Sequence, residues 1–207
     1  MTIKQLQTGV LGVNTYLVIN QEVKQAIVID PGGDADYILR TLKESGATLK
    51  AIFLTHCHFD HIGGVAELLQ MGSVPVYASD ACKANVNTSV NLARAMMGID
   101  LLPITVTNVI KDGETVTVAG ISIQAIYTPG HTSCSCCYLI ENALFSGDTL
   151  FFRSIGRTDF PTGSYEQLVR SVKEKLYVLL PNNYSVYSGH GEKTTLRSEQ
   201  KNNPYTV

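Results

Sequence analysis

The segment Thr55-His56-Cys57-His58-Phe59-Asp60-His61 sets three imidazoles and a carboxylate directly behind the apolar run Ala51-Ile52-Phe53-Leu54. Such a segment is too polar for a core and too dense in one chemistry for an ordinary surface. It reads as a metal site delivered by the end of a strand. The chain has five histidines, and the other two, His131 and His190, sit far along the sequence in a shared local design. Pro129-Gly130-His131, Ser146-Gly147-Asp148 and Ser188-Gly189-His190 each end an apolar, strand-like run. A glycine before a ligand lets the backbone turn sharply, and strand ends deliver residues to a common crevice. The chain must therefore fold so that four strand ends converge.

At 207 residues the chain is long enough to bury a sizeable core. With no polar low-complexity stretch, one domain over 1–207 is expected. Sixteen basic residues against eighteen acidic ones leave no footprint for a polyanion, which sets nucleic acid aside. The first residues, Met1 to Gln7, carry no signal-type apolar stretch, and no uncharged run reaches membrane-spanning length. No membrane association and a cytoplasmic location are expected. The odd cysteine count, five at 57, 82, 134, 136 and 137, does not suit a disulfide framework. Reduced, buried thiols are expected, with the cluster after His131 the one place where a thiol could approach a metal.

Apolar patterning predicts strands near residues 3–7, 16–19 and 26–29 in an antiparallel start, then a helix over 35–45 capped by Asp34. A strand over 49–54 precedes the histidine segment. A short helix, a strand at 74–78 and a polar, irregular helical stretch over 81–98, read as a lid or spacer, come next. Strands follow at 115–118, 121–127, 137–140 and 143–145. An amphipathic helix at 165–175 and a strand at 185–187 complete the pattern, and a polar segment closes the chain. Two β-rich halves interrupted by helices imply an α/β protein of two packed sheets with helices outside.

Seven candidate ligands follow: His56, His58, Asp60, His61, His131, Asp148 and His190. One tetrahedral ion takes four ligands, so two ions sharing a ligand fit better. Asp148 is the natural bridge, because a carboxylate has two oxygens to offer. Imidazole with carboxylate suits zinc first, then iron or manganese.

These residues resemble the metallo-β-lactamase superfamily, and within it the short, single-domain glyoxalase II-like (hydroxyacylglutathione hydrolase-like) hydrolases. The carrying residues are His56 to His61, His131, Asp148 and His190. Asn14-Thr15-Tyr16-Leu17-Val18, Ile29-Asp30-Pro31-Gly32, Thr128 to Thr132 and Gly156-Arg157-Thr158-Asp159-Phe160 support them. The resemblance implies an αββα four-layer sandwich of two mixed β-sheets flanked by helices. It implies that His56, His58 and His131 bind one ion, that Asp60, His61 and His190 bind the second, and that Asp148 bridges. Asp30 is expected to orient a ligand imidazole from behind. Only residues 191–207 follow His190, which places the likeness with the short subgroup rather than the two-domain form.

Two adjacent cations make a hydroxide available near neutral pH, and no Gly-x-Ser-x-Gly elbow suggests a serine nucleophile. Acyl transfer to water is the expected reaction, with Asp60 able to hold or relay the proton. The substrate implied by the resemblance is a small-molecule thioester such as S-lactoylglutathione. The alternatives are a lactone, or persulfide oxidation on a single iron, a branch that shares the Gly-Arg-Thr-Asp-Phe segment. Arg157 either pairs with a substrate carboxylate or makes a loop salt bridge with Asp159 or Glu166. Lys193 and Arg197 read as surface charges, and the oligomeric state is not legible.

Overall fold

Val13-Asn-Thr-Tyr-Leu-Val-Ile is buried at every position, the signature of a strand covered on both faces. It belongs to a computed structural model that describes residues 1–207, the side chain of Met96 excepted. Contacts group the chain into two units, Met1–Val109 with Thr117–Ile121, and Ile110–Val116 with Ser122–Val207.

The first unit carries a mixed six-stranded sheet in sequential order, β1 (Thr2–Thr8), β2 (Val13–Asn20), β3 (Gln25–Ile29), β4 (Thr48–Phe53), β5 (Val76–Ala78) and β6 (Asn108–Val109). Short turns make β1, β2 and β3 antiparallel, whereas helical crossovers make β3, β4, β5 and β6 parallel. Helix α1 (Ala35–Glu44) buries Ile38 and Leu42 one turn apart. Asp34 does not cap it as expected. Its backbone is left-handed, and its carboxylate accepts instead from the amide of Gly9. Helix α2 (Phe59–Ile62) carries the last residues of the histidine segment, Asp60 and His61 among them, α3 (Val65–Met71) follows, and α4 (Asp80–Met97) starts at a Ser79 cap and stops at left-handed Gly98. The stretch expected to be irregular is thus one regular helix. Its buried stripe is Cys82, Val86, Val90 and Ala93, and small residues at helical spacing are easily read as polar. Strand β5 is shorter than expected because Pro75, at its start, has no amide to donate.

The second unit holds a mixed sheet in the order β14-β13-β10-β9-β8-β7. Its members are β7 (Thr115–Val118), β8 (Ile121–Tyr127), β9 (Cys136–Ile140), β10 (Ala143–Gly147), β13 (Ser185–Ser188) and β14 (Thr194–Thr195). A small hairpin, β11 (Leu150–Phe151) with β12 (Ser154–Ile155), follows β10. Helix α5 (Tyr165–Arg170) runs on as a π-helical segment, Ser171–Tyr177, where an ordinary helix is expected. The polar segment that closes the chain, for which no element is predicted, forms β14 and α6 (Leu196–Asn202). Leu168, Val172, Leu176 and Leu196 pack against Leu144 and Val186 of the sheet. Among described residues, no helix is long and apolar enough to cross a membrane.

Strand direction explains where the chemistry emerges. β3 and β4 are parallel, so Asp30 and the histidine segment leave the first sheet at the same end. β10 is parallel to β13 and antiparallel to β9, which is antiparallel to β8. The residues after β8, β10 and β13, namely His131, Asp148 and His190, therefore leave the second sheet at one end.

Leu144 is fully buried at the centre of the second core. Leu144→Ala is expected to lower the unfolding free energy by about 2–5 kcal/mol, measured by urea denaturation.

Candidate functional site

In the first unit, a single buried carboxylate organises the histidine segment. Asp30 follows β3 with a left-handed backbone, φ 49°. One oxygen accepts from the Thr55 amide at 2.8 Å, and the other from the Thr55 hydroxyl at 2.6 Å and His61 Nδ1 at 2.9 Å. A carboxylate here can only accept, so Nδ1 of His61 bears the proton and Nε2 presents its lone pair. The Thr55 hydroxyl spends its proton on Asp30 and so accepts from His56 Nδ1 at 3.1 Å, which orients His56 the same way. His61 Nε2 lies 3.7 Å from Asp60 Oδ2. The rings of His56 and His61 have centroids 4.1 Å apart, and His58 stands edge-on to His56 at 4.8 Å. His56, Asp60 and His61 are buried and His58 is half-buried.

Glycines bring the two supporting loops together. A β-carbon on Gly32 would overlap the Asp60 carbonyl and the Val13 side chain, and one on Gly63 would overlap the Gly32 carbonyl. The Gly64 amide closes the contact by donating to the Pro31 carbonyl at 2.8 Å. The turn after β3 and the short helix α2 are thereby packed backbone to backbone.

In the second unit, His131 Nδ1 donates to the main-chain carbonyl of Arg157 at 2.7 Å, so its Nε2 also presents a lone pair. That Nε2 is 3.5 Å from Oδ2 of Asp148, and Nε2 of His190 is 3.9 Å from the same oxygen. Both imidazole nitrogens thus approach the same carboxylate oxygen, and nitrogen with oxygen donors is the chemistry that suits a cation. The His131 loop is pinned from outside, Ser164 N–H donating to the Gly130 carbonyl at 2.7 Å and Ser171 Oγ to the Pro129 carbonyl at 2.7 Å. Gly130 has φ 140°, and a β-carbon there would overlap the backbone of Leu168. Gly156 lies so close that a β-carbon would overlap the Asp148 carbonyl. Ser188 Oγ holds the His190 carbonyl at 2.8 Å.

The Arg157 side chain is committed elsewhere. Its guanidinium donates twice to Asp159, at 2.7 and 2.6 Å, and lies 4.0 Å over the Phe160 ring. These hydrogen bonds hold the exposed Asp159 carboxyl down to about 2. Of the two roles expected for Arg157, the structure displays the loop pairing, with Asp159 rather than Glu166. Its contribution to the site is the carbonyl behind His131, which side-chain reasoning has no means of finding. All five cysteines are buried and outside any disulfide. Burial pushes the Cys137 thiol up to about 11, although contacts with Thr128 and Thr149 pull the other way. It is an inert, protonated core residue.

The family model for the metallo-β-lactamase superfamily matches residues 8–190. A hydroxyacylglutathione hydrolase of Haemophilus influenzae is 33% identical over 198 residues, 93% of this chain and 92% of its own length. The crystal structure of the B3 metallo-β-lactamase BLEG-1 is similar with a TM-score of 0.92 at 34% identity, covering 100% of both chains. A di-iron-bound form of TTHA1623 is similar with a TM-score of 0.86 at 32% identity, covering 98% of this chain and 99% of its own. The fold is the α/β metallo-β-lactamase fold, with two mixed sheets flanked by helices.

Asp30→Ala strands the buried donors of Thr55 and His61. Urea denaturation should show a loss of about 1–3 kcal/mol for each donor left unsatisfied, and an unchanged midpoint would show that Asp30 holds nothing in place.

Proposed function

This chain belongs to the metallo-β-lactamase superfamily, and from that premise we propose that it hydrolyses a small thioester of the S-lactoylglutathione type. It is a metal-dependent hydrolase of that superfamily. The thioester is supported by the likeness to a hydroxyacylglutathione hydrolase over nearly the full length of both chains. The observation that carries the reading is the facing of His131 and His190 toward one oxygen of Asp148.

The donor set fits cations. Neutral imidazoles whose Nδ1–H groups are anchored from behind, with Asp60 and Asp148 beside them, are oxygen and nitrogen ligands without a committed thiolate. In our proposal His56, His58 and His131 hold one ion, Asp60, His61 and His190 a second, and Asp148 is shared. Zinc suits these donors first, and the di-iron form of a similar protein makes iron the alternative that metal analysis reads directly. When bound, such ions lower the pKa of a water and polarise a carbonyl.

The protein's own groups carry the rest. Asp30, Thr55 and the Arg157 carbonyl keep three imidazoles in one tautomer, so none of these three rings turns or takes up a proton during turnover. Asp60 holds the proton given up by the attacking water. As the new carbon–oxygen bond forms, the carbon–sulfur bond breaks and the thiol departs as thiolate. A thiolate leaves unaided, since an ordinary thiol has a pKa of about 8.5. An amide nitrogen would need a proton supplied to it. This favours a thioester over the β-lactam amide of the similar B3 enzyme.

Purified protein with S-D-lactoylglutathione is expected to turn over on the order of 1–10³ times per second, read as loss of thioester absorbance and abolished by a chelator. Inactivity of metal-loaded protein would overturn this substrate. Oxygen uptake with a persulfide on an iron-loaded sample would replace it with the dioxygenase reading. Asp148→Ala should lose metal and turnover together, by more than the roughly 10–100-fold that loss of an outer hydrogen-bond partner costs. Full metal content with intact turnover in that variant would refute the shared-ligand role.

A further inference from the structure

The C-terminal helix α6 contains a carboxylate that no catalytic step uses. Glu199 is 0% exposed, on an element whose sequence is almost wholly polar. Its Oε2 accepts from the Arg153 amide at 2.8 Å and from Asn203 Nδ2 at 3.0 Å, and its Oε1 accepts from the Thr194 hydroxyl at 2.6 Å. Arg153 occupies the turn of the β11–β12 hairpin in a left-handed conformation, φ 56°. Two further bonds tie the same elements together, from Arg153 Nη1 to the Ser198 carbonyl at 3.1 Å and from Asn203 Nδ2 to the Ser154 carbonyl at 3.0 Å. Beside this network, burial pushes the Tyr177 hydroxyl up to about 12, and the Glu199 carboxylate adds to the rise.

The hairpin it grips is the chain between two parts of the metal-facing set. Asp148 stands just before β11. Gly156 and Arg157 stand just after β12, Gly156 packed on the Asp148 carbonyl and the Arg157 carbonyl behind His131. A tilt of the hairpin would move both Asp148 and the group that orients His131.

We propose that Glu199 is a positioning residue for the metal centre, fixing the β11–β12 hairpin and through it the Asp148 carboxylate and the His131 ring. This rests on the hydrolytic reading above, in which those two residues are ligands. An ordinary structural anchor would hold α6 and nothing else. A positioning residue also sets how well the folded protein binds a cation. The two oxygens of the carboxylate serve three donors, which a glutamine cannot match, because its NH2 would face a donor.

The test compares the full-length parent with Glu199→Gln, below the melting temperature of both. Zn²⁺ affinity is read by competition with a chromogenic chelator, and geometry by the visible spectrum of the Co²⁺-loaded protein. Glu199→Gln is expected to bind Zn²⁺ about 10–100-fold more weakly, the scale of a lost outer hydrogen-bond partner. Its Co²⁺ spectrum should be altered, and kcat should fall more than KM rises. Folded Glu199→Gln with the parent's affinity and spectrum overturns the proposal, even with a lowered melting temperature. Should Glu199→Gln not fold, Thr194→Val removes one donor and keeps the charge. A smaller loss of affinity in that variant supports the proposal, and parental affinity overturns it. A parent that binds neither ion overturns the hydrolytic reading and this one with it. A parent that binds both ions while Glu199→Gln binds them equally overturns the positioning role alone.

Discussion

An imidazole is useful to a cation only through a lone pair aimed at it, and a ring left to itself flips between tautomers and orientations. The protein removes that freedom at His61, His56 and His131 by giving each Nδ1–H a fixed acceptor: the Asp30 carboxylate, the Thr55 hydroxyl and the Arg157 carbonyl. Each acceptor is itself held. Thr55 donates to Asp30, Asp30 sits in a left-handed turn at the end of β3, and Arg157 follows the hairpin that Glu199 grips. The site is therefore a consequence of the turns behind it, and each turn is a consequence of where a strand ends.

This arrangement accounts for the placement of glycine and strain. Left-handed backbone at Asp30 and Arg153, two residues with side chains, is unfavourable locally and persists because hydrogen bonds from neighbouring elements hold each in place. Gly32, Gly130 and Gly156 serve close approach, where any side chain would meet the backbone of α2, of α5 or of the Asp148 turn. Within each sheet, the parallel pair, β3 with β4 in one and β10 with β13 in the other, brings its own two turns out at one end.

Much of this was legible from residue identities. Alternating and continuous apolar runs placed most strands, and helical spacing most helices, giving two packed sheets with helices outside; that both sheets are mixed came from the family resemblance. Two classes of feature were not legible. Helix α4 was legible as helical but not as regular, because its buried stripe of cysteine, alanine and two valines is too weak in hydrophobicity to stand out. The chain end builds β14 and α6 around Thr194, Glu199 and Asn203, polar residues that are buried because they satisfy one another. Pattern reading assigns such residues to solvent, since it sees the polarity of a side chain and not its partner.

The anchors behind His61 and His131 differ in a way that bears on how such a site can vary. Behind His61 stands a side chain, so substitution at one position, Asp30, can loosen the ring. Behind His131 stands a main-chain carbonyl, which is present whatever residue occupies position 157. That anchor can be disturbed only by moving the backbone, through Gly156, through the β11–β12 hairpin or through the α6 residues that hold it. The Arg157 side chain is correspondingly released for another purpose, and here it braces its own loop against Asp159 and Phe160. Under the proposed positioning role of Glu199, the geometry around Asp148 and His131 in the second unit is set by residues that touch no cation themselves, the polar α6 among them.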